Sequence, residues 1–239
     1  MQLYFIRHAQ SANNKLYDET GAWNGRDVDP ELTEIGQRQA KHLAEHLACT
    51  HGAGATQPRD YANRQAFGIT HLYTSPMVRA VSTATYLSEA LGLPLTMWED
   101  LHEIGGIFRV DENGERQGLP GKTRSDFAAR FPDVILPQAL GEDGWWNRPP
   151  ESIEQQLDRA QRVVRDLSER HGQTDDRVVA VSHGGFYNFV LTALLGTTPG
   201  DGFWFGINNT GITRLDFSAE GIALMYANRL EHLSSELIT

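Results

Sequence analysis

The stretch M-Q-L-Y-F-I-R-H-A-Q, Met1 to Gln10, decides how the rest of the chain reads. Leu3, Tyr4, Phe5 and Ile6 form a short apolar run rich in β-formers. Bounded by polar residues, such a run reads as a buried strand. The apolar character stops at Arg7-His8. In an open α/β sheet, ligands bind just beyond the carboxyl ends of the strands, so Arg7 and His8 fall where chemistry is done. Taken alone, the pair is equally consistent with a strand that ends at the surface. Ser11 and Asn14 follow, polar residues suited to a loop or to the opening of a helix.

The chain has 239 residues, 40% hydrophobic and 22% charged, enough for one α/β domain over 1–239 with a substantial core. Its formal net charge is −10, which disfavours nucleic acid and anionic membranes as partners. An anionic small molecule is still admissible, because a local cluster of Arg and His reverses the field in one pocket. Cys49 is the single cysteine, so no intrachain disulfide forms, which fits a reducing compartment. The N-terminal apolar run is too short for a signal peptide, and no stretch approaches a membrane span. A cytoplasmic location is the expectation.

Residues 11–30 are polar and turn-prone and read as a long loop or a short helix at the rim of a site. Residues 31–48 read as a helix starting near Pro30, with Leu32, Ile35, Ala40, Leu43 and Leu47 on one face. Residues 50–68 read as an insertion or long loop. Ile69–Ser75 is a second strand, and Pro76 opens a helix over Met77–Leu91 that Gly92 stops. Leu95–Trp98 is a third strand. Residues 105–150 do not alternate; with Gly, Pro and charge dominant and a short helix near Arg124–Phe131, they read as a cap over the sheet edge. Residues 151–171 form an amphipathic helix with Ile153, Leu157, Ala160, Val164 and Leu167 inward. Val178–Val181 is a strand that runs into Ser182-His183-Gly184-Gly185, followed by a helix over Phe186–Leu195. Ile212–Phe217 and Ile222–Tyr226 form a hairpin, and the tail from Asn228 reads as only partly ordered.

Strands alternating with helices imply a three-layer α/β sandwich, a mostly parallel sheet with helices on both faces. Three strands lead into ionisable residues: Arg7-His8, the turn before Arg79, and Ser182-His183; a fourth ends before Glu103. Two His and two Arg converging at one sheet edge make an electropositive pocket, suited to a phosphoryl group.

These residues carry a resemblance. R-H-A-Q-S-A-N-N at Arg7–Asn14 resembles the R-H-G-x-S-x-x-N motif of the histidine phosphatase superfamily, which includes phosphoglycerate mutases and many small-molecule phosphatases. Leu32–Ala40, Thr74–Ala84, Leu101-His102-Glu103 and Val181–Gly185 are similar to its other motifs, in the same order, over most of the chain. The resemblance implies a phosphomonoesterase acting on a small phosphorylated metabolite. His8 would be the nucleophile, forming a phosphohistidine, with a backbone or carboxylate partner on its other ring nitrogen. Arg7, Arg79 and His183 would clamp phosphate oxygens, Glu103 would act as proton donor and then base, and Asn14 would hold the phosphate with its amide. Ser11 would assist through loop structure or an indirect bond. No metal and no cofactor is needed for this chemistry.

Two departures stand out: Ala9 replaces the family's usual Gly, and the 50–68 insertion has no assigned role. A mutase is the alternative, disfavoured because Glu103 is followed by Ile104-Gly105-Gly106 and no adjacent Arg pair occurs in 105–150. A non-catalytic binder of phosphorylated ligands is a third reading. Outside the motifs, His42 and His46 stand four apart but read as a solvated helix face rather than a zinc site. His102 and Trp145-Trp146 read as loop-shaping and packing residues, and Arg109, Arg116, Lys122 and Arg124 as solvated or as contacts to the rest of an anionic substrate. The oligomeric state is open; a homodimer through the hairpin edge or around Phe203-Trp204-Phe205 competes with burial of those residues. The physiological substrate is not encoded in any motif.

Overall fold

A computed structural model describes residues 1–22, 24–49, 60–63, 66–197 and 203–239. In chain order its elements begin with β1 (Gln2–Arg7), α1 (Ala12–Thr20), α2 (Glu34–Ala48), β2 (His71–Thr74), α3 (Val78–Leu91) and β3 (Leu95–Met97). The middle of the chain supplies β4 (Phe108–Val110), β5 (Arg116–Gly118), α4 (Arg124–Arg130) and β6 (Val134–Ile135). The last part supplies α5 (Ile153–His171), β7 (Arg177–Ser182), α6 (Gly184–Leu195), β8 (Ile212–Ser218) and β9 (Gly221–Arg229).

The main sheet has the order β6-β3-β2-β7-β1-β8-β9. β1 pairs in parallel with β7, and the parallel run continues through β2, β3 and β6. β8 and β9 add an antiparallel edge. The register puts Arg7 opposite Ser182 and Val181 opposite Thr74, so three parallel strands end together and open one crevice. Because both faces of the sheet are covered, the strands are apolar on both sides. Tyr4, Ile6, Leu72 and Val181 pack with α2 and α3 through Leu43, Leu47, Val81 and Leu87. Leu3, Phe5, Val178 and Ala180 pack with α5 and α6 through Val163, Leu167, Phe186 and Val190.

The three-layer sandwich and the helix predictions hold, with boundaries set by caps. Thr33, not Pro30, starts α2, its hydroxyl accepting the Gly36 N–H at 3.0 Å. Ser152 and Gln155 form a reciprocal capping box at α5. Gly92 stops α3 at φ 63°. Residues 11–30 resolve into a helix, α1, followed by a loop.

Four expectations need correction. In α5 the buried stripe is Gln156, Ala160, Val163 and Leu167, whereas Ile153, in the first turn, stays 58% exposed. The 105–150 cap is not wholly separate: β4 and β5 form a small sheet of their own, but β6 joins the main sheet beside β3. The tail is tied in. β9 extends to Arg229, Leu237 is buried, and the Gln39 amide donates to Leu237 O and Thr239 Oγ1 at 2.7 and 2.9 Å. Finally, His46 is not solvated but stacks on His232 and meets Phe67 edge-on, while His42 is exposed beside Glu45. Most of the 50–68 insertion lies outside the described residues; Asn63 and Phe67 within it are buried against β1 through Tyr4. Phe203 and Trp204 are exposed. Among the described residues no helix is long and apolar enough to cross a membrane.

Gly36 explains why α2 can lie so close to the segment after β1. A methyl group there would sit 2.1 Å from the carbonyl oxygen of Gln10, a backbone atom that cannot move aside cheaply. Gly36→Ala is expected to lower stability by about 1–3 kcal/mol, read as a lower urea midpoint at unchanged m-value.

Candidate active site

Arg7 and His8 leave the carboxyl end of β1 into the crevice. His8 is almost wholly buried, and its N–H donates to Ser182 O at 2.9 Å. Its ring Nδ1 lies 2.7 Å from the carbonyl oxygen of Ala9. A carbonyl only accepts, so Nδ1 carries the proton and Nε2 presents a lone pair. The Arg79 Nε–H donates to that lone pair at 3.0 Å. Burial first, then the charges of Arg79 and Arg7, hold the ring well below the usual imidazole pKa and keep it neutral.

Ala9 is compatible with this geometry. It is not among the residues with positive φ, its methyl is fully buried, and its N–H donates to Thr83 Oγ1 at 3.0 Å. Thr83 in turn donates to Arg79 O. The threonine therefore links the loop after β1 to the first turn of α3.

Arg79 is set by a residue that no motif singled out. Asp29 Oδ1 accepts the Val78 N–H at 3.0 Å and lies 3.7 Å from Arg79 Nη1. Met77 gives α3 no side-chain cap, so Asp29 caps the helix from a distant loop. Burial pushes the Asp29 carboxyl up to about 6, against the pull of Arg79. Its second oxygen is buried and, among the described residues, has no hydrogen-bond partner.

His183 precedes α6 and is fully buried, its ring 5.0 Å from that of His8. Its Nε2 bonds Ser75 Oγ at 2.7 Å, and its buried Nδ1 has no partner among the described residues. Burial and Arg79 keep it well below the usual imidazole pKa. Glu103 faces α6: Oε1 accepts from the N–H groups of Ile104 and Phe186, and Oε2 from Gly185. A side chain at position 185 would meet Glu103 Oε1 at 2.5 Å, so this approach requires glycine. The loop carrying Glu103 is fastened by Arg159 of α5. Arg159 donates to Asp100 O and His102 O and forms a buried bidentate pair with Glu151. His102 packs against Trp145 and Trp146, as expected of structural residues.

The structure thus brings Arg7, His8, Arg79 and Glu103 onto one cavity of about 1010 Å³, with His183 beneath. Ser11 and Asn14 also line it. Ser11 is chiefly the N-cap of α1, in a reciprocal capping box with Asn14. The Asn14 Oδ1 is consumed by Ser11 and by the Asn209 amide, which also donates to His8 O at 2.8 Å. Asn209, Asp29, Ser75 and Arg159 were all missed by sequence reasoning.

At the mouth, Arg26 and Arg116 lie over Phe108 at 4.6 and 4.9 Å from the ring centroid. Among the described residues neither forms an ion pair. Burial and the neighbouring Arg79 and Arg116 charges lower the Arg26 pKa. Arg109 also lines the cavity, bonded to Gln117, whereas Arg124 is spent on the carbonyls of Pro137 and Leu140. Neither of the helix histidines His42 and His46 reaches the site.

Comparison with known proteins gives the family. The profile of the histidine phosphatase superfamily (branch 1) matches residues 3–229. "Phosphoserine phosphatase 1" of Hydrogenobacter thermophilus is 24% identical over 238 residues, covering 98% of this chain and 94% of its own. "Probable phosphoglycerate mutase GpmB" of Cronobacter sakazakii is 24% identical over 249 residues, covering 98% and 96%. In fold, the chain is similar to a crystal structure of a phosphoserine phosphatase mutant from Entamoeba histolytica in complex with phosphoserine. That likeness has a TM-score of 0.62 at 21% identity and covers 98% of this chain and 99% of the other. With the family's profile spanning nearly its whole length over a crevice of arginine and histidine, the chain belongs to the histidine phosphatase superfamily and is an enzyme of the phosphatase kind.

Proposed function

We propose that the protein hydrolyses a small phosphomonoester through a phosphohistidine formed on His8 Nε2. The observation that carries this reading is the His8 ring itself, with its Nδ1 proton given to Ala9 O and its Nε2 lone pair turned toward Arg79. In the first step the Nε2–P bond forms as the P–O ester bond breaks, and the leaving oxygen takes a proton from Glu103. In the second, water attacks phosphorus, the P–N bond breaks, and the water proton goes to Glu103. Arg7 and Arg79 neutralise the non-bridging oxygens, a transition state that needs positioned charge more than covalent help. Ser75 accepts the Met77 N–H, and in the tautomer where its hydroxyl donates to His183 Nε2, the His183 Nδ1–H donates to the same oxygens. Asn14 adds its free amide N–H.

The mouth favours a substrate with a second anionic group. Arg26 and Arg116 are held by one aromatic ring and, among the described residues, carry no acid of their own. A carboxylate near the phosphate is the group such a fork accepts. The same pair bears on the mutase reading. The sequence holds no adjacent Arg pair in 105–150, but the fold assembles one from two segments. The absence of a pair is therefore no argument against a mutase, and the distinction rests on the segment after Glu103. A cytoplasmic location, with neither nucleic acid nor membrane as partner, fits the acidic surface and the single cysteine.

Release of phosphate from p-nitrophenyl phosphate should persist in excess EDTA and vanish in His8→Ala. Loss of activity to EDTA in the natural protein would sink the metal-free mechanism. With 3-phosphoglycerate, phosphate release should exceed formation of the 2-isomer; the reverse makes the enzyme a mutase. Arg116→Ala should raise KM for phosphoserine about tenfold or more, the worth of a charged hydrogen bond, while hydrolysis of p-nitrophenyl phosphate changes little.

Asp29 sets a pH dependence. Its folded pKa, about 6, lies above the ordinary value of 3.8, so the ionised form is disfavoured by folding. Stability from this group is full below 3.8 and is lost as pH rises through about 6. Activity runs the other way, because only the carboxylate pairs with Arg79. An acid limb near pH 6 is therefore expected in kcat/KM. Asp29→Asn should flatten that limb and cut activity at pH 7 about tenfold, roughly the worth of one charged hydrogen bond. The same variant should leave the urea midpoint at pH 7 unchanged or raised, because Asn keeps the acceptor for Val78.

A further inference from the structure

We propose that His71, His171 and Asp176 bind a divalent transition-metal ion of the zinc class, at the end of the sheet opposite the phosphate cavity. The inference stands on geometry independent of the reaction above. His71 opens β2, His171 closes α5, and Asp176 immediately precedes β7. The site thus lies at the amino ends of strands whose carboxyl ends hold the crevice, about 20 Å away along a six-residue strand.

One ligand atom from each of the three residues lies within 4.8 Å of the others. The Asp176 carboxylate reaches both rings, with Oδ2 2.8 Å from His171 Nδ1 and Oδ1 3.8 Å from His71 Nδ1. A tetrahedral ion with bonds of about 2.0–2.1 Å wants neighbouring ligand atoms about 3.3 Å apart, and the two distances bracket that value. The Tyr73 hydroxyl bonds His171 Nε2 at 3.0 Å, which leaves Nδ1 as the coordinating atom and fixes the plane of its ring. Outer partners of this kind are what metal-binding imidazoles use. Among the described residues, the only ion-pair partners of Asp176 are these two histidines, so no guanidinium or ammonium neutralises it. The Thr70 hydroxyl on His71 Nδ1, at 2.8 Å, is the contact that coordination would replace.

Two imidazoles and one carboxylate suit zinc and its neighbours rather than calcium or magnesium. His71 and Asp176 are partly exposed, at 41% and 26%, so a fourth position opens to water and the ion exchanges. Bound there, it would join the starts of two central strands to the end of α5.

The test uses the full chain, stripped with EDTA and dialysed, titrated with Zn²⁺ against a chromophoric chelator. One ion per chain is expected, with an unfolding midpoint raised by several degrees at saturating metal. His71→Gln and Asp176→Asn should each weaken binding at least tenfold and abolish the midpoint shift. Hydrolysis of p-nitrophenyl phosphate should stay within twofold, and the far-ultraviolet circular dichroism should be unchanged. Tyr73→Phe should weaken binding less. Absence of stoichiometric binding overturns the proposal. So does Zn²⁺ that binds both variants as tightly as the natural protein; if that binding also inhibits hydrolysis, the ion sits at His8 and His183.

Discussion

Two guanidinium groups and an imidazole share one buried crevice, and the rest of the site follows from that crowding. A guanidinium does not give up its proton, so Arg7 and Arg79 stay charged although burial opposes it. The imidazole between them then has to be neutral, and the Ala9 carbonyl selects which nitrogen keeps its hydrogen. Excess positive charge in a buried pocket calls for nearby anions. Asp29 and Glu103 are placed at its two sides, one on the first turn of α3 and the other at the N-terminus of α6. Among the described residues the buried Arg7 Nε and His183 Nδ1 are left without protein partners, two donors that the proposed phosphoryl group would meet.

The parts of this arrangement that were legible in the sequence are those fixed by strand geometry. Arg7-His8 and Ser182-His183 end apolar runs, and a parallel register of the two strands brings them side by side. Arg79 follows a strand and a Pro, and sits one residue into α3. What escaped depends on side chains that reach across the fold. Asp29 and Arg26 come from a loop with no periodicity, and their roles exist only once α3 and β5 are beside them. Arg159 looks like any charge on an amphipathic helix, yet it is fully buried and holds the loop before Glu103. By composition the tail reads as only partly ordered, but two residues with amide side chains, Gln39 and Asn209, capture it.

Those amides also explain how the segment after His8 is held. The Gln10 N–H donates to Gln39 Oε1, and the other end of the Gln39 amide bonds the tail. Asn209 bonds His8 O on one side and receives Thr239 Oγ1 on the other. With Thr83 accepting the Ala9 N–H, backbone polar groups at the end of β1, which would be orphaned as the chain leaves the sheet, are thus satisfied by side chains from three distant segments. That satisfaction permits a non-helical turn in the interior.

The place of β1 in the sheet has a consequence for how the molecule comes into being. The strand is flanked by β7 and β8, neither of which exists until most of the polypeptide has been made. The residues of β1 therefore find their neighbours only after residues some 170 positions later have been made. Long-range pairing of this kind folds slowly, because the loop must close before any contact rewards it. A nascent chain halted before residue 177 carries Arg7, His8, Arg79 and Glu103 but lacks the strand that aligns them. The crevice is thereby left unassembled until β7 has been made, and shorter fragments hold its four side chains without the frame that gathers them.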